Sequence, residues 1–221
     1  MAINQNTKWP NRNTLYLGRS GSGKSQGCKQ NQEIPRSGVR VLLWDPSRDH
    51  KAFHIDSKSA YARAVREAIA SGKPFRLAFS GVLDAVKDHE WWCSVVWAAL
   101  DGDHKTYVID EELSGSSVST AKAEPEAARL MNQGRKYGME FHGIAQVPTE
   151  IPKTYFNQTE VFYIGQQRGD QLKKSASLLG FEKKDFEKLV LLEPLQFWRL
   201  DPKKNGGTPE LIKMQYQENN Y

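Results

Sequence analysis

The sequence predicts an α/β fold in which a mostly parallel β-sheet is flanked by helices and ends in a β-hairpin. Short apolar runs alternate with segments of helical periodicity, which is typical of parallel strands joined by crossover helices. A glycine-rich stretch follows the first apolar run, and polar residues follow several later ones. The length of 221 residues suffices for one such domain with a full core. We therefore expect a single domain over residues 1–221.

Strands and helices are expected in a regular order. Apolar runs predict strands over residues 14–18, 39–44, 75–79, 105–109, 141–145 and 161–164. Helical periodicity predicts helices over residues 26–33, 59–71, 84–100, 126–137 and, with a break near Gly180, 171–192. Gly72 and Gly138 stand where two of these helices should end, as glycine commonly does after a last helical turn. Residues 195–200 and 211–216 predict the hairpin, around Asn205-Gly206-Gly207.

Composition favours a globular protein without a membrane span. The longest apolar run, residues 91–100, is far shorter than the ~20 residues that cross a bilayer, and residues 1–6 form no apolar signal segment. Cys28 and Cys93 are far apart, so we expect free thiols in a reducing compartment. The net charge is +5, and residues 1–48 hold eight Lys or Arg against two Asp or Glu. This charge suits an anionic partner but does not identify one.

The glycine-rich stretch matches a phosphate-binding motif. Its residues fit the pattern G-x-x-x-x-G-K-[ST] at every fixed position: Gly18-Arg19-Ser20-Gly21-Ser22-Gly23-Lys24-Ser25. Between a strand and a helix, such glycines let backbone N–H groups converge on an anion. We expect residues 18–26, from Gly18 to Gln26, to bind ATP, with Lys24 on the β- and γ-phosphates and Ser25 on Mg²⁺. The alternative is a Gly/Ser turn that fits the pattern by chance.

The strand predicted at 105–109 runs into Asp110-Glu111-Glu112. Ligands of open parallel sheets bind at the carboxyl ends of the strands, so these carboxylates should lie beside the phosphate loop. Asp110 would hold Mg²⁺ through water, and Glu111 would activate the water that attacks the γ-phosphate. The alternative is an acidic cap on the next helix, which is the simpler interpretation of Glu112.

Other polar residues follow strands at the same edge. Gln146 can donate to a γ-phosphate oxygen and accept from the attacking water, which suits a nucleotide sensor, although a polar residue can also simply end a strand. Asp45 is ambiguous, because Asp45-Pro46 is also a common turn opener. Gln166 and Gln167 follow the strand at 161–164.

The order of these motifs resembles that of the FtsK–HerA superfamily of P-loop motor ATPases. The segment from Gly134-Arg135-Lys136-Tyr137-Gly138-Met139 to Ile144-Ala145-Gln146 resembles the family's arginine-bearing helix end, glycine turn and strand that ends in a sensor glutamine. Within the superfamily, the chain looks most like the genome-packaging ATPases of tectiviruses, which are membrane-containing double-stranded DNA phages. The resemblance covers about residues 13–200.

This resemblance implies a P-loop, RecA-like core and a motor that translocates viral double-stranded DNA into a preformed capsid. It implies a ring, usually of six subunits, with ATP at the interfaces and DNA in the centre. Proteins of the capsid packaging vertex would be partners, and the chain would be found at that vertex of the virion and in the host cytoplasm.

The resemblance also implies an arginine that acts on the neighbouring subunit's ATP, where it can raise the rate by about 10³–10⁵-fold. Arg135 is the best placed, and Arg129 and Arg168 are the other candidates. Cellular members of the family typically carry Arg-Pro after the glutamine, whereas this chain has Val147-Pro148. An arginine function at that position is therefore absent or has moved.

Two predicted loops at the ligand edge carry basic groups that could follow DNA phosphates. Residues 47–51 include Arg48 and Lys51, and residues 114–122 include Lys122. Such contacts would be independent of base sequence and would weaken steeply with salt. Solvated loop charge is an equally good interpretation.

The tryptophan-rich segment and the histidines favour structural roles. Trp91, Trp92 and Trp97 have the spacing of a core helix, although part of this face could dock on a vertex or membrane-associated partner. The histidines show no metal-ligand spacing, so we expect no structural zinc. They are His50, His54, His89, His104 and His142.

Two other functions remain open. A nucleotide or small-molecule kinase would share the phosphate loop, but it would need an acceptor pocket and a lid, and no lid-like basic insertion is evident. A virion or assembly component could use ATP as a structural ligand, but Glu111 argues against it because a static site needs no positioned base.

Overall fold

The structure is a computed structural model that describes residues 8–218. Within them, nine strands form one sheet in the order β3-β4-β2-β5-β6-β1-β7-β8-β9. The strands are β1 (Thr14–Leu17), β2 (Arg40–Trp44), β3 (Phe53–Ile55), β4 (Phe75–Phe79), β5 (Thr106–Asp110), β6 (Met139–Ala145), β7 (Val161–Ile164), β8 (Gln196–Leu200) and β9 (Glu210–Lys213). Strands β1 to β7 pair in parallel, and β8 and β9 add an antiparallel hairpin. The predicted α/β class, with a mostly parallel sheet and a C-terminal hairpin, is confirmed.

Helices connect the parallel strands. They are α1 (Lys24–Lys29), α2 (Lys58–Ser71), α3 (Ala85–Ala99), α4 (Pro125–Gln133), α5 (Lys153–Gln158), α6 (Gln171–Leu178) and α7 (Glu187–Val190). Most predicted helices are present, but α1 ends earlier than expected. Asn31 follows it, and its side-chain amide donates to the Tyr16 hydroxyl at 2.7 Å while its side-chain oxygen accepts from Glu33 N at 3.0 Å. These bonds favour a turn over a further helical turn.

Two short elements were not predicted. Strand β3 has three residues, and Phe53 at its start is 67% exposed, so it shows neither a run nor an alternation of apolar residues. Helix α5 has six residues, too few for a helical period to be recognised. The helix predicted over 126–137 is α-helical only to Gln133 and ends in a 3₁₀ turn, Gly134–Tyr137.

The sheet is covered on both faces. Side chains that alternate along the central strands enter two apolar clusters, one including Leu42, Trp92 and Phe141 and the other including Tyr16 and Val41. Trp92 is fully buried, and Trp91 and Trp97 are partly buried against the same cluster. The tryptophan-rich helix is therefore a core helix. Across residues 8–218, no helix combines the length and the apolar character that crossing a bilayer requires.

Gly72 and Gly138 end their helices in the left-handed conformation, at φ 67° and 90°, as the sequence predicts. Their surroundings differ. A Cβ at Gly138 would collide with the backbone carbonyl oxygen of His104, whereas a Cβ at Gly72 would have no atom within 4 Å. Gly138 thus satisfies two constraints and Gly72 only one.

We expect Gly138→Ala to destabilise the protein more than Gly72→Ala. Both variants place a Cβ in the left-handed region, which costs about 1–2 kcal/mol. Only Gly138→Ala must also displace the His104 carbonyl, whose neighbour Lys105 leads into β5. Denaturant unfolding of the two variants beside the unaltered chain measures the difference. If the two variants lose the same free energy of unfolding, the His104 carbonyl moves aside without an energetic cost.

Candidate functional site

The phosphate loop connects β1 to α1 at the carboxyl edge of the sheet. Gly21 and Gly23 adopt left-handed backbone conformations, at φ 76° and 90°. A Cβ at Gly18 would lie 2.5 Å from Ser22 Oγ, and one at Gly23 would lie 2.5 Å from Leu195 Cδ2. The loop is anchored to neighbouring strands, since Gly18 N donates to the carbonyl that ends β6 at 3.3 Å. Only glycine permits this tight path.

The loop forms one wall of a cleft of about 750 Å³. The other walls come from the ends of β2, β5 and β6 and from a segment near the C-terminus. The cleft brings together Lys24, Ser25, Gln26, Glu111 and Gln146, which lie on different elements. It also includes residues that sequence reasoning did not single out for this site, namely Lys29, Ser47, Asp49, Pro194, Leu195 and Tyr216.

Lys24 faces the phosphate loop. Its Nζ donates to the Arg19 carbonyl oxygen at 3.1 Å, and the residue is only 8% exposed. Burial lowers the pKa of Lys24, while the nearby carboxylates of Glu111 and Asp49 act in the opposite direction. A partly dehydrated ammonium group of this kind binds a phosphate oxygen more strongly than one in bulk water.

Both oxygens of the Glu111 carboxylate are hydrogen-bonded. The Ser25 hydroxyl donates to Oε1, and the His50 ring Nε2 contacts Oε2. Glu111 is 7% exposed and lines the cleft. Neither it nor Glu112 caps a helix, because α4 begins only at Pro125. The interpretation of Glu112 as an acidic helix cap is therefore wrong.

Asp110 ends β5 and is completely buried behind the cleft. Its Oδ2 accepts from His89 Nε2 at 2.7 Å, and its Oδ1 has no hydrogen-bond partner among residues 8–218. Burial alone would lower the pKa of His89, but Cys93 and Asp110 raise it well above its ordinary value. Two carboxylates thus end one strand, and each is held by a histidine.

The chemistry of the donors suits a magnesium ion, which binds few protein oxygens and keeps several waters. Ser25 lines the cleft, and Asp110, which does not line it, has one buried oxygen without a partner among residues 8–218. Both are oxygen donors of the kind that Mg²⁺ takes. In the part of the chain that the structure describes, no cluster of three or more His, Cys, Asp or Glu side chains could hold a metal ion by itself.

Some polar residues at this edge have structural partners. The Asp45 carboxylate is fully buried and accepts from the backbone N–H groups of Asp49 and His50, both at 2.9 Å, so it forms the turn after β2. Gln166 Nε2 donates to the Val190 carbonyl at 2.7 Å. Gln146, in contrast, is exposed and faces the cleft.

Gln26 holds the segment 214–218 against α1. Its Nε2 donates to the Gln217 carbonyl at 3.0 Å, and its Oε1 accepts from Gln217 N at 3.2 Å. Gln30 Nε2 donates to the Gln215 carbonyl at 2.8 Å. Tyr216, between these anchors, is 68% exposed at the rim of the cleft. The side chain of Gln26 therefore shapes the rim.

Arg135 lies at the opposite edge of the sheet. It precedes β6, and its Nη1 donates to the Trp9 carbonyl at 2.8 Å. It is not among the residues that line the cleft. Arg129 stacks on Trp97, with 4.2 Å between the guanidinium carbon and the ring centroid, and Arg168 is exposed after β7.

The candidate DNA-binding residues are exposed, but they differ in their partners. Arg48 has a left-handed backbone, φ 57°, and makes two hydrogen bonds to the Asp56 carboxylate at 2.7 and 2.8 Å. That ion pair offsets the Arg48 charge. Lys51 and Lys122 are exposed in loops that follow β2 and β5. The two lysines are therefore better candidates than Arg48.

Sequence reasoning missed His50 and His89 because it tested histidines only for metal-ligand spacing. His50 instead contacts the Glu111 carboxylate, and His89 contacts the Asp110 carboxylate. His50 lies 61 positions before Glu111 in the sequence. A local signal for His50 did exist, since it belongs to the polar loop that follows β2. His89 is on α3 between Asp88 and Glu90, and no local pattern indicates that it contacts Asp110.

No protein-family model matches the chain. Protein P9 of Pseudoalteromonas phage PM2 is 28% identical over 195 residues, which are 87% of each chain. Among solved structures, the genome packaging NTPase B204 of Sulfolobus turreted icosahedral virus 2, in complex with AMPPCP, superposes with a TM-score of 0.72 at 17% identity. The match covers 94% of this chain and 100% of B204. This chain has the fold of a packaging NTPase.

A second solved structure extends the comparison. VirB4 of Thermoanaerobacter pseudethanolicus has a TM-score of 0.64 at 12% identity, with 93% of this chain and 90% of VirB4 covered. The predicted resemblance to FtsK–HerA-type packaging ATPases is confirmed at the level of the fold.

We expect Gln26→Ala to release the segment 214–218 from α1. The change removes both hydrogen bonds to Gln217, while Gln30 keeps a single bond to Gln215. Amide hydrogen exchange over residues 214–218 should become faster while exchange in β5 and β6 stays unchanged. Gln133→Ala on the exposed side of α4 is the matched control. Unchanged exchange at 214–218 in Gln26→Ala would contradict this anchoring role.

Proposed function

We propose that this protein is an ATP-driven motor that translocates viral double-stranded DNA into a preformed capsid. The observation that carries the proposal is the position of Glu111. A buried carboxylate borders a cleft with the Lys24 and Ser25 of a phosphate loop, as a base for ATP hydrolysis requires. The fold of B204, described as a genome packaging NTPase, supports the biological role.

The residues predicted from the sequence to act at this site each have a proposed task. The backbone N–H groups of residues 18–25 and Lys24 bind the phosphates. Ser25 and, through water, Asp110 hold Mg²⁺, which supplies charge neutralisation for phosphoryl transfer. Glu111 orients a water and takes its proton as that water attacks the γ-phosphate. Gln146, exposed in the cleft, contacts the γ-phosphate and distinguishes ATP from ADP.

The adenine base is proposed to lie towards the rim formed by segment 214–218. Pro194, Leu195 and Tyr216 supply apolar and aromatic surface there, beside the start of α1. An exposed tyrosine ring is suited to stack on a base, because every base offers a π-face to an aromatic side chain. The two hydrogen bonds between Gln26 and Gln217 hold that surface against α1.

The motor is proposed to work as a ring, with six subunits as the expected number. Arg135 lies away from its own cleft, so in a ring it would act on a neighbour's ATP. Lys51 and Lys122 are proposed to contact DNA phosphates in the centre. The remaining partners would be proteins of the packaging vertex, with the chain at that vertex and in the host cytoplasm.

A kinase and a structural ATP-binding component are the competing functions. Against the first, the likeness to B204 extends over 94% of this chain. Against the second stands Glu111, because a static ATP site needs no carboxylate beside Lys24 and Ser25 that could accept a proton from water.

The first experiment is ATP hydrolysis over a series of protein concentrations, with and without long double-stranded DNA. We expect the specific activity to rise with protein concentration, because an arginine from the next subunit completes each site. DNA should raise it further, by an amount that falls with added salt. Activity that is independent of both concentration and DNA would contradict the motor and favour a kinase, to be checked with phosphate acceptors.

We expect Glu111→Gln to lower kcat by about 10²–10⁴-fold, because an amide cannot take the proton from water. ATP binding, measured with a fluorescent analogue, should be retained. Glu112→Gln is the matched control, since Glu112 is exposed and its carboxylate accepts a hydrogen bond from Ser47 at 3.1 Å. Equal rates in Glu111→Gln and the unaltered protein would overturn the assignment of the base.

A further inference from the structure

We propose that His50 is a positioning residue that holds the Glu111 carboxylate in the orientation in which Glu111 activates water. The inference rests on the proposed ATPase function and deepens it. His50 belongs to neither nucleotide motif. It lies in the β2–β3 loop, residues 45–52, and its side chain is completely buried.

The hydrogen bonds at Glu111 give His50 a role that is separate from nucleotide binding. An ionised carboxylate only accepts, so the contact between His50 Nε2 and Oε2 requires the ring nitrogen to donate. The partner of Oε1 is Ser25, which is also the expected Mg²⁺ ligand. His50 is thus the partner of Glu111 that has no second task in binding ATP. With Oε2 held by His50, Oε1 is the oxygen that can receive a proton from water.

The backbone of His50 is itself held by hydrogen bonds with Asp45 and His54. Its backbone N donates to Asp45 Oδ2 at 2.9 Å, and its carbonyl oxygen contacts His54 Nε2 at 2.8 Å. The other nitrogen of His54 lies 2.9 Å from Ser80 Oγ, and that hydroxyl donates to the Asp45 carbonyl at 2.7 Å. The backbone of His50 is therefore held at both its N–H and its carbonyl, and the ring is completely buried, as expected of a group that orients a base.

The main chain of Glu111 is held by the sheet, but its side chain needs a separate partner. It follows the last residue of β5 and its backbone N donates to the Trp44 carbonyl at 3.0 Å, so its main chain is part of the sheet. The side chain, however, is a flexible three-carbon stem that needs its own restraint. A base that is off by a fraction of an ångström loses much of its effect. His50 supplies that restraint from the neighbouring strand's loop.

The test compares His50→Ala and His50→Gln with the unaltered protein, and repeats His50→Ala in the Glu111→Gln background. We expect His50→Ala to lower kcat by about 10- to 100-fold, the usual effect of losing a group that orients an active residue. KM for ATP should not change, because His50 is fully buried and is not among the residues that line the cleft. His50→Gln should restore most of kcat, since its amide can donate to Oε2.

The double variant separates positioning from a general structural role. If His50 acts through Glu111, then His50→Ala should have little further effect on kcat once Glu111 is glutamine. A second readout needs no nucleotide: the ring NMR resonances of His50, assigned by their loss in His50→Ala, should shift in Glu111→Gln. His104→Ala, exposed near the opposite edge of the sheet, is the matched control and should match the unaltered protein in each assay.

The outcomes distinguish the two proposals. If the unaltered protein does not hydrolyse ATP at any concentration, with or without DNA, the proposed function fails and the role of His50 fails with it. If it does hydrolyse ATP, three results overturn the role of His50 alone. These are an unchanged or higher kcat in His50→Ala, an equal loss in the Glu111→Gln background, and His50 resonances that do not respond to Glu111→Gln.

Discussion

The site depends on the burial of two adjacent carboxylates at the end of β5. Successive side chains of a strand point to opposite faces, so Asp110 and Glu111 meet different layers of the molecule. Asp110 meets His89 on α3, and Glu111 meets Ser25 on α1 and His50 from the loop after β2. A buried carboxylate without a donor is strongly unfavourable. The need to supply these donors therefore constrains where α1, α3 and the β2–β3 loop can lie.

The same arrangement connects the nucleotide cleft with the outer surface. The β2–β3 loop has His50 at its buried end and Lys51 exposed beside it. Under the proposed function, Lys51 contacts DNA and His50 orients the base, and the two are consecutive residues. A displacement of this loop by DNA would reach Glu111 through a single hydrogen bond. No long chain of intermediates is needed between DNA binding and hydrolysis.

Local patterns were enough to predict most of the fold. Each buried parallel strand is an apolar run that ends at glycine or polar residues. The phosphate motif indicates the first connection between a strand and a helix. Strand β3 escaped because three residues with an exposed Phe53 carry no period, and it forms only as an addition to β4. Helix α1 was expected to be too long because the bond between Asn31 and Tyr16, which favours the turn there, joins side chains on different elements.

The residues of the candidate site also fall into two groups: those that a local sequence signal predicts and those that only long-range contacts show. Lys24 and Ser25 were singled out by the phosphate motif, and Asp110, Glu111 and Gln146 were singled out because they follow recognisable strands. The structure brings four of these five residues to one cleft, with Asp110 behind it. His50 and His89 were missed because their roles depend on contacts between distant parts of the chain. The side chain of Gln26 was expected at the nucleotide but binds Gln217. Only the folded structure shows that pairing.

The anchoring of segment 214–218 has a consequence for biosynthesis. Gln26 and Gln217 are 191 positions apart, so the contact closes almost the longest loop that the described chain allows. Closing such a loop has an entropic cost that the intervening sheet must first reduce. During translation the phosphate loop emerges well before segment 214–218, which forms the rim of its cleft. A chain that ends before residue 214 would carry Lys24, Ser25, Asp110, Glu111 and Gln146, but it would lack Tyr216 and the partner that Gln26 binds.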